Sequence, residues 1–260
     1  MTGALDPARR MVLGLAGLVG FFGLWALVAA SGLVGNAFLP GPLEVAERLV
    51  TLLHTSFAGG TLPQHLASSL QRFSAGYLLA AAVGVPLGLL MGRFRLLDDI
   101  VSPLFDALRF IAPIAWVPFA ALWFGTGFGG PVLIIFSGAF PPCLLNAYRG
   151  ARQVDPRYIE AAEMLGTPTH RLILEVLLPA ATPSIVAGLR IGAGLGWQSL
   201  VGAELIVAST GVGYMMVQAQ SGVATATVMV GMAAIGLVGV LIDIALRALE
   251  ARIHNRLERA

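Results

Sequence analysis

Six runs of this chain are long and apolar enough to cross a lipid bilayer as helices. They lie at roughly 11–32, 69–92, 104–124, 130–148, 183–206 and 228–248. A helix needs about 20 apolar residues to cover the hydrocarbon core. There every backbone N–H and C=O must pair inside the protein, and a helix does so within one segment. The expected fold class is therefore all-α: a polytopic membrane protein with six transmembrane helices. Composition agrees, because 57% of residues are hydrophobic and only 12% charged, against about 25% charged in soluble domains. The third and fourth runs contain Pro113, Pro118, Pro141 and Pro142. Proline leaves a carbonyl without its amide partner, so these spans are expected to be buried in a bundle or kinked. The first run has Arg9-Arg10 before it and small residues behind it, as a secretory signal does. Its apolar stretch exceeds the roughly 7–15 residues of a signal core, so it is expected to stay as an anchor.

Arginine placement sets the expected orientation. With the N-terminus inside, segments 33–68, 125–129 and 207–227 are external and hold only Arg48, while Arg72 sits at the outer end of the second span. The other fourteen arginines, Arg109 among them, fall on or near the cytoplasmic side. The plan is a cytoplasmic N-terminus at 1–10, a first transmembrane helix at 11–32 and an external segment at 33–68. A core transmembrane domain at 69–248 and a cytoplasmic tail at 249–260 follow. Residues 42–53 read as a short amphipathic helix on the outer surface, either a landing site or a linker resting on lipid.

Several chemistries are excluded. All sixteen basic residues are arginine. A Walker A phosphate loop needs a lysine, so any ATP chemistry belongs to another chain. The arginines are scattered at the ends of apolar runs, with no basic stripe interleaved with aromatics, so nucleic acid is not an expected partner. His54, His65, His170 and His254 lack metal-ligand spacing, and no metal site is expected. His65 with Ser68 and Ser69 has no third orienting group, and no catalytic residue is assigned. The single cysteine, Cys143, cannot form an internal disulfide.

Between the fourth and fifth spans lies a polar stretch, 155–179. Asp155-Pro156 is a helix start, Asp as N-cap and Pro at the first helical position. That helix is expected to end at Gly166 in a left-handed turn. Thr167-Pro168 repeats the start signal, with a second short helix stopping before Pro179, and Thr182-Pro183 opens the fifth span. Ile159, Leu165, Leu172, Ile173 and Val176 are expected to pack on the membrane domain. Arg157, Glu160 and Glu163 are left for water or a partner, and Ala161-Ala162 lets another surface approach closely. Three capped starts in succession exceed what a passive linker needs.

Glu160-Ala161-Ala162, Gly166, Val176 and Leu178-Pro179 hold the spacing of the signature loop of ABC-importer permeases, which this stretch resembles. The family often has Ile where Val176 stands. Leu39-Pro40-Gly41-Pro42, Ser69-Leu70-Gln71-Arg72, Trp116-Val117-Pro118, Leu122-Trp123-Phe124-Gly125 and Gly188-Leu189-Arg190 look like its nitrate/sulfonate/taurine/bicarbonate branch. Trp197, Ala203-Glu204, Gly211-Val212-Gly213 and Asp243 continue the resemblance, which covers about 38–255. It implies a type I importer fold in a bacterial inner membrane, with two short cytoplasmic coupling helices in the loop. It implies a homodimer of permeases, two ABC ATP-binding subunits that dock on Glu160, Ala161, Ala162, Gly166, Val176, Leu178 and Pro179, and an external solute-binding protein. ATP and Mg would reside on the partner ATPase, with no cofactor on this chain. Small organic or inorganic anions are the implied cargo.

Within the spans, Gly84, Gly88 and Gly92, like Gly188, Gly192 and Gly196, recur every four residues and read as packing faces. Trp197, Leu200 and Glu204 share one helical face. Trp197 and Gln198 either line the pathway or pack against another span, Leu200 reads as packing, and Glu204 reads as a gate residue or an interfacial anchor. Trp116 is a further pathway candidate. Arg190 can snorkel to the inner surface, and Asp243 and Arg247 are expected to pair. An ion-coupled carrier or a channel subunit is the rival reading. It lacks acids at mid-span and has no use for the 160–179 signature.

Overall fold

The computed structural model describes residues 7–32, 35 and 38–257. The expected tips of the termini, 1–6 and 258–260, lie outside the described residues, as do 33, 34, 36 and 37. Helix α1 spans Pro7–Ala30, α2 Pro42–His54, α3 Leu62–Arg93 and α4 Arg95–Leu108. A 3-10 turn at Pro113–Trp116 leads into α5 (Val117–Phe124), followed by α6 (Gly129–Arg152) and α7 (Pro156–Met164). Helix α8 runs unbroken from Thr169 to Val207. Helix α9 covers Val212–Ser221 and α10 Thr225–Leu257. No β-strand occurs among the described residues.

Helix α6 is the centre of the bundle, packed along α3 on one side and α8 on the other. Both neighbours present glycine. A Cβ on Gly76 would lie 2.7 Å from the Cβ of Ile135, one on Gly188 2.5 Å from that of Asn146, and one on Gly192 2.8 Å from the Cys143 sulfur. Those are sub-contact distances, so the glycine faces set the helix spacing. Pro141 and Pro142 sit inside α6 without interrupting it, and the Asn146 amide donates to the Pro142 carbonyl at 2.9 Å. Helix α1 stands apart: most of its described apolar side chains are exposed, and the Trp25 indole donates to the Pro40 carbonyl at 3.1 Å.

Three expectations need correction. The run at 104–124 is kinked, as its prolines suggest, and is not one continuous helix. Helix α4 and the Pro113–Phe124 segment meet at 87°, giving five continuous candidate spans, or six if the bent pair counts as one. Ala112 holds an extended ψ of 140° ahead of Pro113, the conformation a residue before proline is steered into, so the helix cannot cross this point. The fifth span does not start at Pro183, because α8 absorbs Pro179 and Pro183. Leu172–Leu177 form a π-helical turn, in which the Leu178 N–H donates to the Ile173 carbonyl. The wider turn accommodates the ring that would crowd an α-helical carbonyl. Finally, α2 does not rest on lipid alone. Leu52 is fully buried with Leu62, Val212, Met215 and Val230, and the Arg48 Nε donates to Thr227 Oγ1 at 2.8 Å.

Candidate functional site

The loop forms around two local devices. Asp155 Oδ1 accepts from the Arg157 amide at 3.0 Å, with Pro156 beginning α7. At the other end the Thr167 N–H donates to the Ala162 carbonyl and the Gly166 N–H to the Glu163 carbonyl, both at 3.0 Å. These are the two bonds of a Schellman turn, and Gly166 carries the left-handed φ of +71° that it requires. Nothing lies within 4 Å of a Cβ built on Gly166, so its constraint is conformational rather than steric.

Ile159 and Leu178 pack against a cluster of Leu89, Ala147, Ala151, Leu177, Ala181 and Ile185, and Ala162 and Leu172 are buried. Leu165 does not join them. It is 85% exposed, next to Met164 at 86% and near Tyr158 at 66%. Helix α7 ends at Met164, before the inner stripe of positions 159 and 162 can extend to 165. Glu163 is exposed and also paired: its Oε1 accepts from Arg93 Nη2 at 2.7 Å, tying α7 to the end of α3. Glu160, Ala161, Arg157 and Pro179 are exposed, and Val176 is half-buried. The second expected short helix is the start of α8, not a separate element.

The candidates on the fifth span separate. The Trp197 ring meets Phe73 edge-on at 5.3 Å between centroids, and its Nε1 donates to the Ile235 carbonyl at 3.1 Å. Trp197 is therefore a packed, satisfied side chain, as is Leu200. Gln198, on the next register, is exposed. Trp116 is half-buried, its ring edge-on to Phe119 at 6.0 Å. Arg190 reaches across to α10, its Nε donating to Asp243 Oδ1 at 2.9 Å. The expected Asp243–Arg247 pair is present at 2.8 Å.

Glu204 is buried inside the bundle. It is 2% exposed and fully engaged. Arg72 Nη1 donates to its Oε1 at 2.9 Å, the Ser69 hydroxyl lies 2.8 Å from both carboxylate oxygens, and the Gly213 N–H donates to Oε2 at 3.0 Å. Arg72 also donates to the Thr210 carbonyl at 2.6 Å, and the Gly211 N–H donates to His65 Nδ1 at 3.2 Å. This clasp joins the starts of α3 and α9 to the end of α8. The sequence carried Arg72, Ser69 and the 211–213 glycines only within segments of family resemblance. Their convergence on one carboxylate has no local signal.

A bent pair of half-helices, a glycine-spaced bundle and an anchored polar loop are thus one architecture. Residues 84–259 match the model of a family described as the binding-protein-dependent transport system inner membrane component. This chain belongs to that family. The permease is 36% identical to the taurine transport system permease protein TauC of Escherichia coli, covering 95% of this chain and 90% of the relative. It is 35% identical to the bicarbonate transport system permease protein CmpB of Synechococcus elongatus, over 90% and 86%. It is 34% identical to a putative aliphatic sulfonates transport permease protein, SsuC, of Bacillus subtilis, over 88% and 82%. Its fold is that of the inward-facing methionine ABC transporter MetNI, with a TM-score of 0.65 at 18% identity, covering 74% of this chain and 95% of that one. The chain is an ABC-importer permease of the type I fold, a multi-pass transport subunit and not an enzyme.

Proposed function

We propose that this permease carries a small oxyanion, of the sulfonate, taurine, nitrate or bicarbonate class, across a bacterial inner membrane. A solute-binding protein delivers the cargo. The permease acts as a homodimer on two ABC ATP-binding subunits, which hold the ATP and Mg. Both termini and the 155–179 loop face the cytoplasm, and 33–68 and the clasp face outward, as the arginine distribution favours.

The observation that carries the coupling role is the exposed face of the loop. Tyr158, Met164 and Leu165 are large apolar side chains left in water beside exposed Glu160 and Ala161, on a helix fixed to the bundle by Ile159 and Glu163. An apolar patch held that rigidly is suited to insertion in a groove on another protein. Gly166 sets the angle of that face, and Val176, Leu178 and Pro179 carry its motion into α8. The relatives' names supply the cargo class.

The test is Gly166→Val in the full transporter reconstituted in liposomes. Valine has space but not the left-handed backbone, so the bundle folds while the dock is misaimed. ATP hydrolysis is expected to continue, with uptake reduced by an order of magnitude or more. Uptake at the unmodified rate refutes the role given to the loop.

A further inference from the structure

The break in the third candidate span lies beside the middle of α6. Helix α4 starts beside the end of α6, where Asp98 accepts from the Tyr148 hydroxyl at 2.8 Å. It climbs until Phe105 meets Phe140 edge-on, and the chain then breaks at 109–112. Arg109 there lines a cavity with Ser137 and Pro141. Counted along α6, Ser137 is about 12 Å from one end and Pro141 about 17 Å from the other. Arg109 was expected near the inner surface, because a continuous span at 104–124 puts it at the span's end. Helix α4 instead begins at Arg95, which puts Arg109 about 21 Å along the rise from that end. Irregular backbone at this depth is tolerated only where protein covers it or a water-filled cavity adjoins it.

The adjoining cavity has a volume of about 370 Å³, within the range of small-molecule sites. Gln198 and Ser199 of α8 line it together with Arg109, with Ile114, Leu195 and Pro142 as apolar wall. The Arg109 guanidinium lies 4.6 Å from the Phe110 ring centre, and its closest ion-pair contact to Asp106 uses Nε at 2.8 Å. That leaves the other donors of a planar five-donor fork. The Ser137 and Ser199 hydroxyls donate to Ile134 and Leu195 carbonyls of their own helices, so Arg109 and the Gln198 amide are the donors on offer.

We propose that this cavity is the permease's own anion site, in which Arg109 and Gln198 hold a small oxyanion beside the middle of α6. A guanidinium edge matches two oxygens of a sulfonate or carbonate, and a neutral amide adds a third bond. The apolar wall accommodates a short organic tail. The Asp106 partner keeps the resting site near neutral, so the anion is held and also released. The proposal rests on the oxyanion-importer reading and adds a location to it.

The experiment uses Leu195→Cys, an exposed wall position that holds neither donor, in the full-length permease in membranes, with the unmodified chain as blank, since its single Cys143 is buried. Labelling by a water-soluble thiol reagent is followed in taurine, methanesulfonate, bicarbonate or nitrate, with choline chloride at matched ionic strength as control. The introduced thiol is expected to label. At least one oxyanion is expected to slow labelling about tenfold or more, the effect disappearing in Arg109→Gln and persisting in part in Arg109→Lys. Failure to label, labelling as fast in every one of the four anions as in choline chloride, or protection indifferent to Arg109→Gln overturns the site. ATP-driven uptake of the same four anions by the complete transporter is measured in parallel. Protection without uptake defeats the importer's cargo assignment and leaves the site standing. Uptake with KM unchanged in Arg109→Gln defeats the site and leaves the cargo assignment standing.

Discussion

Glu204 is a carboxylate placed where water cannot reach it, and its neighbours explain how that is tolerated. Arg72, Ser69 and the Gly213 amide together satisfy both oxygens. The balance is asymmetric, because removing one member leaves the other charge buried and unpaired. Glu204→Ala is expected to destabilise the permease by about 3–5 kcal/mol, read as a lower midpoint in detergent unfolding. Arg72→Met combined with Glu204→Leu is expected to cost less than either single change, since no charge is then stranded. A double variant worse than both singles contradicts the clasp as drawn. Gly213 belongs to the same unit: a Cβ there would lie 2.6 Å from the Glu204 Cβ, so Gly213→Val is expected to open the clasp. At this scale the sequence located the face that Trp197, Leu200 and Glu204 share, because helical spacing is local. It could not say that the face is buried against Arg72, 132 positions away.

Among the elements, the glycine rows of α3 and α8 contrast with those of α1. A Cβ on Gly88 would fall 2.9 Å from the Ala147 Cβ, whereas one on Gly17 meets nothing within 4 Å. Gly88→Leu is expected to cost about 1–3 kcal/mol or more through overpacking, while Gly17→Leu leaves thermal stability unchanged in the same assay. A like effect at both positions would mean that the α3–α6 spacing is not set by glycine. The loop offers a finer test. Asparagine enters the left-handed region more readily than branched residues, so Gly166→Asn is expected to keep most uptake where Gly166→Val loses it. The start of α7 at Asp155-Pro156 and its close at Gly166 were legible because caps act over three or four residues. Pro179 and Pro183 misled for the same reason. Their stop signal is also local, whereas α8 continues through both rings, with the π-helical turn at Leu172–Leu177 just before Pro179.

At the level of the whole molecule, α8 joins the two polar regions. It runs 39 residues from the loop to Val207, about 57 Å of one helix, and carries Glu204 near its far end. A rigid element with a dock at one end and a clasp at the other can transmit displacement without intermediates. Helix α1 takes no part in that path. Deleting residues 1–30 is expected to leave a monodisperse α2–α10 bundle by gel filtration in detergent, and aggregation would show that α1 covers a face the core needs. The sequence by itself determined that the chain is helical, spans a membrane several times and bears the 155–179 loop. Span length, arginine bias, cap residues and motif spacing are properties of short segments. Only the tertiary structure decided that the third span breaks at Arg109, that α8 is continuous through two prolines, and that Glu204 closes on Arg72. Each depends on which surfaces meet across the folded chain, and burial and ion pairing are properties of those meetings.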